Sequence, residues 1–313
     1  MTKPFGILLV VSIIASAAAA SASTREESFP RPTNLEPNIA FWKKVFTEWS
    51  ERDHAIHDKE RLDVVYEVVQ TEAPRSNGKT PAAGVELIRL RMAHYTGILR
   101  LLEAQGPDAV GDEGQRLYSL WGCPCTPGTL EAAADRLRSQ RGIRERFTLA
   151  LRRAEGLRPK ILPILRQNNV PDELAALPLI ESSFDSRARS HAQAAGLWQF
   201  LRSTGRRFGL TVRGRHDERY DPLRSTGAAA RMLRHHQGEL RSWPLAITAY
   251  NHGLGGVKRA VTTVGTNDIG RIVAEYRGPR FGFSSRNFYA EFLAAVDLMD
   301  LHFAQAAAPA SAR

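Results

Sequence analysis

Residues 171–210 read PDELAALPLIESSFDSRARSHAQAAGLWQFLRSTGRRFGL. In this stretch the apolar run Leu177-Pro178-Leu179-Ile180 leads onto a single carboxylate, Glu181, three residues before Phe184. A carboxyl flanked by apolar surface is disfavoured as an anion, so its pKa rises and it can hold a proton near neutral pH. That is the requirement for a general acid, while a glutamate on a helix surface is the plain alternative. Asp185 lies four residues on, a spacing that on a helix sets two carboxylates on one face. A retaining glycosidase uses a pair ~5 Å apart and an inverting one a pair ~6.5–9.5 Å apart. The Ser-Arg that follows Asp185 equally suits a local cap.

Outward from this stretch the chain has helical patterning. Residues 39–70, with Phe41, Val45, Phe46 and Trp49 and then Leu62, Val65 and Val69 at helical spacings, read as helix. So do GVELIRLRMAHYTGILRLLEAQ and IRERFTLALRRAEGLRPKILPILRQNNV, the latter ending at an Asn-Asn-Val-Pro break. No alternating strand ladder stands out, and the expected fold class is mostly α. His54 and His57, with Asp58 adjacent, stand at a metal-ligand spacing, but no third and fourth ligand can be assigned. A surface or capping role is the expectation, and no metal or other cofactor is expected.

Residues 1–22 (MTKPFGILLVVSIIASAAAASA) carry Lys3, an apolar run and the small-x-small site Ala20-Ser21-Ala22. This is the pattern of a cleavable secretory signal peptide, and the run is short for a membrane span. No cysteine follows it to be lipidated. A periplasmic location is therefore expected, with residues 23–38 as a flexible lead-in and 304–313 as a disordered tail. The chain has 313 residues, 43 Lys+Arg against 33 Asp+Glu and a net charge of +10. Arginine outnumbers lysine roughly five to one, so the excess reflects either an anionic partner or a compositional habit. Export excludes nucleic acid as the partner and points to envelope polymers, with room for a peripheral contact to membrane or envelope proteins. The oligomeric state is not legible. The only cysteines, Cys123 and Cys125, flank one proline, a poor zinc half-site; a structural role, including a tight loop disulfide, is the expectation.

The string ESSFDSRARSHAQAAGLWQF resembles the catalytic motif of the lytic transglycosylases that carry a soluble-lytic-transglycosylase domain: Glu-Ser-x-Phe, a serine nine residues after the Glu, then Ala-x-Gly-Leu-Trp-Gln-Phe. DERYDP, the Ala-rich STGAAARMLRHH and WPLAITAYNHGLGGVKRAV are similar to the family's later motifs in order and spacing. The closing GFSSRNFYAEFLAAV and the N-terminal FW…IHD region resemble the membrane-bound lytic murein transglycosylase D branch. Together the motifs span roughly residues 34–301. Departures at Gln193, where many members have glycine, and Ser186, where proline is frequent, are marks of the branch.

The resemblance implies a lysozyme-like helical catalytic domain over 169–303, preceded by a helical region over 39–168. It implies that Glu181 is the single catalytic acid and base and that Ser190 orients the sugar's N-acetyl group or the catalytic carboxyl. It also implies that Gln199, Tyr250 and Asn251 line the cleft, with Trp198 and Phe200 as apolar walls. The implied reaction is non-hydrolytic cleavage of the MurNAc–GlcNAc bond of peptidoglycan with formation of a 1,6-anhydro ring and no cofactor. A lysozyme-like muramidase on the same fold, with Asp185 as its second carboxylate, and a non-catalytic wall-binding or scaffold protein are the alternatives.

Overall fold

The computed structural model describes Arg25, 27–75, 78–122 and 125–307. The signal-peptide residues, most of the tail and Cys123 lie outside the described residues. Two compact units are present, Pro37–Arg231 with Ala290–Arg313, and Met1–Glu36 with Met232–Tyr289. Helix dominates both. No helix among the described residues is long and apolar enough to cross a membrane.

The first unit opens with α1 (Glu36–Thr47), whose Ile39, Phe41, Trp42, Val45 and Phe46 are buried. The chain then departs from the helical expectation. Asp53–Asp58 (β1) and Val65–Gln70 (β2) form an antiparallel hairpin, and Leu137–Arg141 (β3) pairs with the other edge of β1. β-Branched and aromatic residues dominate β2, whose Tyr66 and Val69 are buried. Helices α2 (Ala82–Gln105), α3 (Gly111–Leu120) and α4 (Thr129–Ala134) cover this sheet. The resulting core contains Ile56, Tyr66, Leu99, Leu117 and Trp121.

The His-Asp pattern of β1 is structural. His57 is fully buried with its ring 4.6 Å from that of Phe41, and its Nδ1 lies 2.8 Å from the Asp58 carbonyl. Burial lowers its pKa to about 4, so it is neutral. His54 is buried too, and the Asp58 carboxylate, wholly enclosed, is paired with Arg136 at 2.8 Å. A surface or capping role for these histidines is thus replaced by a core one. Cys125 is disulfide-bonded.

Helix α5 (Arg144–Gln167) stacks Phe147 on Phe46 of α1 at 4.5 Å and runs to the Asn-Asn-Val-Pro break. It leads into α6 (Leu177–Ser182), α7 (Arg202–Arg207), the two-residue strands β4 (Val212–Arg213) and β5 (His216–Asp217), and the first half of α8 (Pro222–Leu240). The last helix, α12 (Phe283–Ala307), belongs to this unit from Ala290 on, and there Asp297 meets Lys43 of α1 at 2.6 Å.

The second unit holds the end of α8, then α9 (Trp243–His252), α10 (Leu254–Val264), α11 (Ile269–Glu275) and α12 up to Tyr289. Residues 27–35, expected to be a flexible lead-in, are instead pinned to it. Phe29 and Leu35 are buried, the Tyr289 hydroxyl donates to the Pro30 carbonyl at 2.8 Å, and Asn34 Nδ2 donates to the Gly270 carbonyl at 3.0 Å. Two apolar anchors outweigh the loose composition of the segment.

Candidate active site

Glu181 is the penultimate residue of α6, the short helix that the buried Leu177, Pro178 and Leu179 press into the core of the first unit. The helix ends abruptly because Ser183 and Phe184 both adopt left-handed backbone (φ 54° and 55°). Phe184 is thereby turned inward and buried. The reversal also takes Asp185 off the helix, so the expected one-face pairing with Glu181 does not form. Asp185 instead accepts from the Arg187 amide at 2.8 Å, the local cap that was the alternative.

Two bonds fix this corner. Arg153 of α5 donates to the Ser183 carbonyl at 3.1 Å, and the Ser182 hydroxyl donates to the Leu197 carbonyl at 2.8 Å. The second ties Glu181's neighbour to the loop 186–200, which holds Ser190 and Gln199. Within that loop the Ser190 hydroxyl accepts from the Ala194 amide at 3.0 Å, leaving its own proton free to donate outward. Gln199, with φ 48°, donates to the Gly196 carbonyl at 2.8 Å. Isolated bridges of Ala195 with Arg189 and Phe200 fold the loop on itself.

The loop is organised from below by Arg219. This guanidinium is 3% exposed and pairs with Asp217 at 2.7 Å; it also donates to the carbonyls of Gln193 (2.9 Å) and Phe200 (2.8 Å). It thus satisfies the Gln193 carbonyl and adds a second donor to the Phe200 carbonyl, which already accepts from the Ala195 amide. The pairing holds the Asp217 carboxyl below its ordinary range. Trp198 is not a cleft wall. It is completely buried and its indole N–H donates to Thr226 of α8 at 2.8 Å, so it belongs to the core, as does the buried Phe200.

The electrostatics separate two carboxyls from the rest. Asp58 and Asp217 are ion-paired, whereas Glu181 has no ion pair or hydrogen bond to its carboxyl among the described residues. Its side chain keeps some contact with solvent, but the surrounding protein desolvates the carboxyl and pushes its pKa up to about 7. Glu291, on the part of α12 that belongs to this unit, is its counterpart. It too is partly exposed and without a partner for its carboxyl, between the fully buried Ala290 and Phe292. Its pKa is raised to about 8, first by burial and then by the charge of Glu181, with Arg138 of β3 pulling the other way. Sequence reasoning missed Glu291. The one available signal, an acid within the apolar FYAEFLAAV, is weak because such an acid usually sits on a helix's wet face.

Tyr250 and Asn251 lie near the end of α9 in the second unit. Tyr250 is partly exposed, and Asn251 is held through its amide by Ser285, which donates to Oδ1 at 3.1 Å, while its Nδ2 donates to Ser284 at 3.4 Å. The Ser-Ser of GFSSRNF thus orients the Asn of TAYNH.

Residues 163–273 match the family model described as "Transglycosylase SLT domain". The chain is similar to the membrane-bound lytic murein transglycosylase D of Escherichia coli strain K12, at 42% identity over 100 residues, 32% of this chain and 22% of that protein. It is also similar to a putative tributyltin chloride resistance protein of Alteromonas sp. strain M-1, at 37% identity over 113 residues, 36% of this chain and 55% of that one. Among solved structures, the 70 kDa soluble lytic transglycosylase of Escherichia coli aligns with a TM-score of 0.39 and 14% identity, over 88% of this chain and 52% of the other. The chain thus spans about a fifth of the length of the transglycosylase D it matches and about half of the resistance protein.

Proposed function

We propose that this chain, which carries a transglycosylase SLT domain over residues 163–273, is a peptidoglycan lytic transglycosylase in which Glu181 serves as acid and then as base. The reading rests on one observation above the others: Glu181 is an unpaired, desolvated carboxyl whose pKa of about 7 lets it carry a proton at neutral pH. In the first step that proton passes to the glycosidic oxygen between N-acetylmuramic acid and N-acetylglucosamine as the C1–O bond breaks. Positive charge growing at C1 is met by the substrate's own 2-acetamido oxygen, which forms an oxazolinium-like ring. In the second step the Glu181 carboxylate takes the proton of the C6 hydroxyl on the same sugar. The C6 oxygen then attacks C1, the acetamido group leaves, and a 1,6-anhydro ring closes with Glu181 protonated again. The attack is intramolecular, which favours it over water from bulk solvent. Ser190, Gln199, Tyr250 and Asn251 are assigned to binding the glycan.

Glu291 is the observation that speaks for the hydrolytic alternative, because it supplies a second carboxyl beside the first. A base that activates water must be ionised while the acid is protonated. Burial and the neighbouring Glu181 both push the Glu291 pKa up, which disfavours an ionised Glu291. Export to the periplasm, through residues 1–22, completes the proposal and places the basic surface among the carboxylates of the wall.

Mass spectrometry of products released from purified sacculi tests the reading. Anhydro-muropeptides, lighter by one water than their reducing-end counterparts, are expected. Release of reducing ends alone, or no release, overturns it. Asp185→Asn, which keeps the acceptor for the Arg187 amide, is expected to retain activity within about threefold, the range of a small surface perturbation. A loss as deep as that of Glu181 variants would return Asp185 to the chemistry.

A further inference from the structure

The second unit contains a pocket of about 640 Å³ whose residues have no part in the chemistry above. One wall is the pinned segment 27–32; the others are the turn between α8 and α9 and the start of α11. Because Phe29, Leu35 and the Tyr289–Pro30 bond fix the segment, the pocket is formed before any ligand arrives. Its size falls in the range of small-molecule sites, about 300–1,000 Å³.

Several of its polar groups are unengaged. The Arg241 guanidinium, the Trp243 indole N–H and the Asn267 amide have no hydrogen-bond or ionic partner among the described residues. Gln237 uses only its Oε1, which accepts from Arg234 at 2.8 Å. Trp42, Trp121 and Trp198 are buried, whereas Trp243, like Trp49, is only partly so, and Trp243 lines the pocket. Arg241 terminates α8 in left-handed backbone (φ 54°), its amide donating to the Gln237 carbonyl at 2.7 Å. The other charges at the pocket are largely committed. Asp268 caps α11 through the Arg271 amide at 2.8 Å, and Arg31 pairs with Glu36 at 3.1 Å, leaving Glu27 at the exposed rim.

An open indole, two planar amides and one uncommitted cation form a recognition set for a hydroxylated ring bearing one carboxylate. The ring's C–H face packs on tryptophan, the amides bond to hydroxyl or acetamido groups, and the guanidinium takes the carboxylate. We propose that this pocket is a second saccharide site, for an N-acetylated amino-sugar disaccharide carrying a lactyl carboxylate, separate from the residues that cleave the chain. The choice of sugar rests on the peptidoglycan reading above; the ring-plus-carboxylate chemistry does not. Such a site would retain a glycan strand on the protein between cleavage events.

The test uses the full chain carrying Glu181→Gln, so that no ligand is consumed, and follows the ¹H–¹⁵N signal of the Trp243 indole, assigned with Trp243→Phe. Titration with the muramyl disaccharide is expected to move that signal saturably. Arg241→Gln is expected to weaken this binding at least fivefold, and the neutral N-acetylglucosamine disaccharide to bind at least fivefold more weakly than the muramyl one. A signal that does not move overturns the proposal, as does one moved equally by the stem peptide alone or one indifferent to Arg241→Gln. Because no turnover is read, a chain that proved unable to cleave sacculi would leave this result intact.

Discussion

Glu181→Gln is expected to lower release of soluble muropeptides about 10³-fold, the scale of removing a positioned general acid and base, and at the same time to stabilise the protein in alkaline buffer. Both effects have one cause. The folded protein raises the Glu181 pKa from an ordinary 4.5 to about 7. Below pH 4.5 the group is protonated folded or unfolded, and its burial adds no ionisation cost. As pH rises through the folded value the carboxylate must form in a desolvated site, and stability is lost. With one pKa unit worth 1.36 kcal/mol, the cost above pH 7 is about 3 kcal/mol. Glutamine, neutral at every pH, avoids it. The melting temperature of the variant is expected to exceed wild type by several degrees at pH 8.5 and to coincide with it at pH 4. Glu291→Gln is expected to change stability in the same direction over a window reaching to about pH 8. Since the two carboxylates repel, either single change relieves the repulsion, and the double variant should gain less than the sum of the singles. Thermal melts of the four proteins at the two pH values check all of this. Equal melting temperatures at pH 8.5 would mean that Glu181 is well solvated and cannot carry a proton at neutral pH. The activity of the wild type should likewise fall as pH rises through about 7, where the acid loses its proton.

How much of this was legible beforehand differs from residue to residue. The position of Glu181 was readable because apolar neighbours both bury a segment and raise a carboxyl's pKa, two consequences of one local pattern. The helices α2 and α5 were readable for the same reason of short range: their periodicity is local. The hairpin was not. Leu62, Val65 and Val69 fall at helical intervals, and the burial of Tyr66 and Val69 three residues apart gives no strand alternation to oppose that reading. Only the pairing with β3, some 70 residues later in the chain, decides between the two readings. Trp198 illustrates the same limit, since its indole is claimed by Thr226 from another helix, and a motif does not reveal which face of it is wet. Glu291 lay furthest from view. Its pKa is raised by burial and by Glu181, with Arg138 opposing, and the two charges lie more than 100 residues away in sequence; locally only the apolar FYAEFLAAV marks it.

The loop that carries Ser190 and Gln199 yields the second large effect, and here geometry and conformation act together. Gly196 has φ 78°, in the region where a side chain is strained, and a Cβ there would stand 1.7 Å from the carbonyl oxygen of Arg219 and 2.7 Å from its carbonyl carbon. The obstructing atoms are backbone, and the backbone is that of the arginine whose guanidinium supports the loop from below, so neither party can yield cheaply. Gly196→Ala is therefore expected to cost about 4 kcal/mol, at the severe end for a single substitution. Activity should fall with it, because the Gly196 carbonyl receives Gln199 and the adjacent Leu197 carbonyl receives Ser182, next to Glu181. Gly156→Ala supplies the comparison: it adds the same methyl on the exposed face of α5, where a Cβ meets nothing within 4 Å. There the higher helix propensity of alanine should stabilise by up to about 1 kcal/mol. Opposite shifts in the denaturation midpoint are thus expected from two chemically identical changes. A Gly196→Ala protein as stable as wild type would mean that the loop is not braced against Arg219, and the support of Ser190 and Gln199 would have to be sought elsewhere.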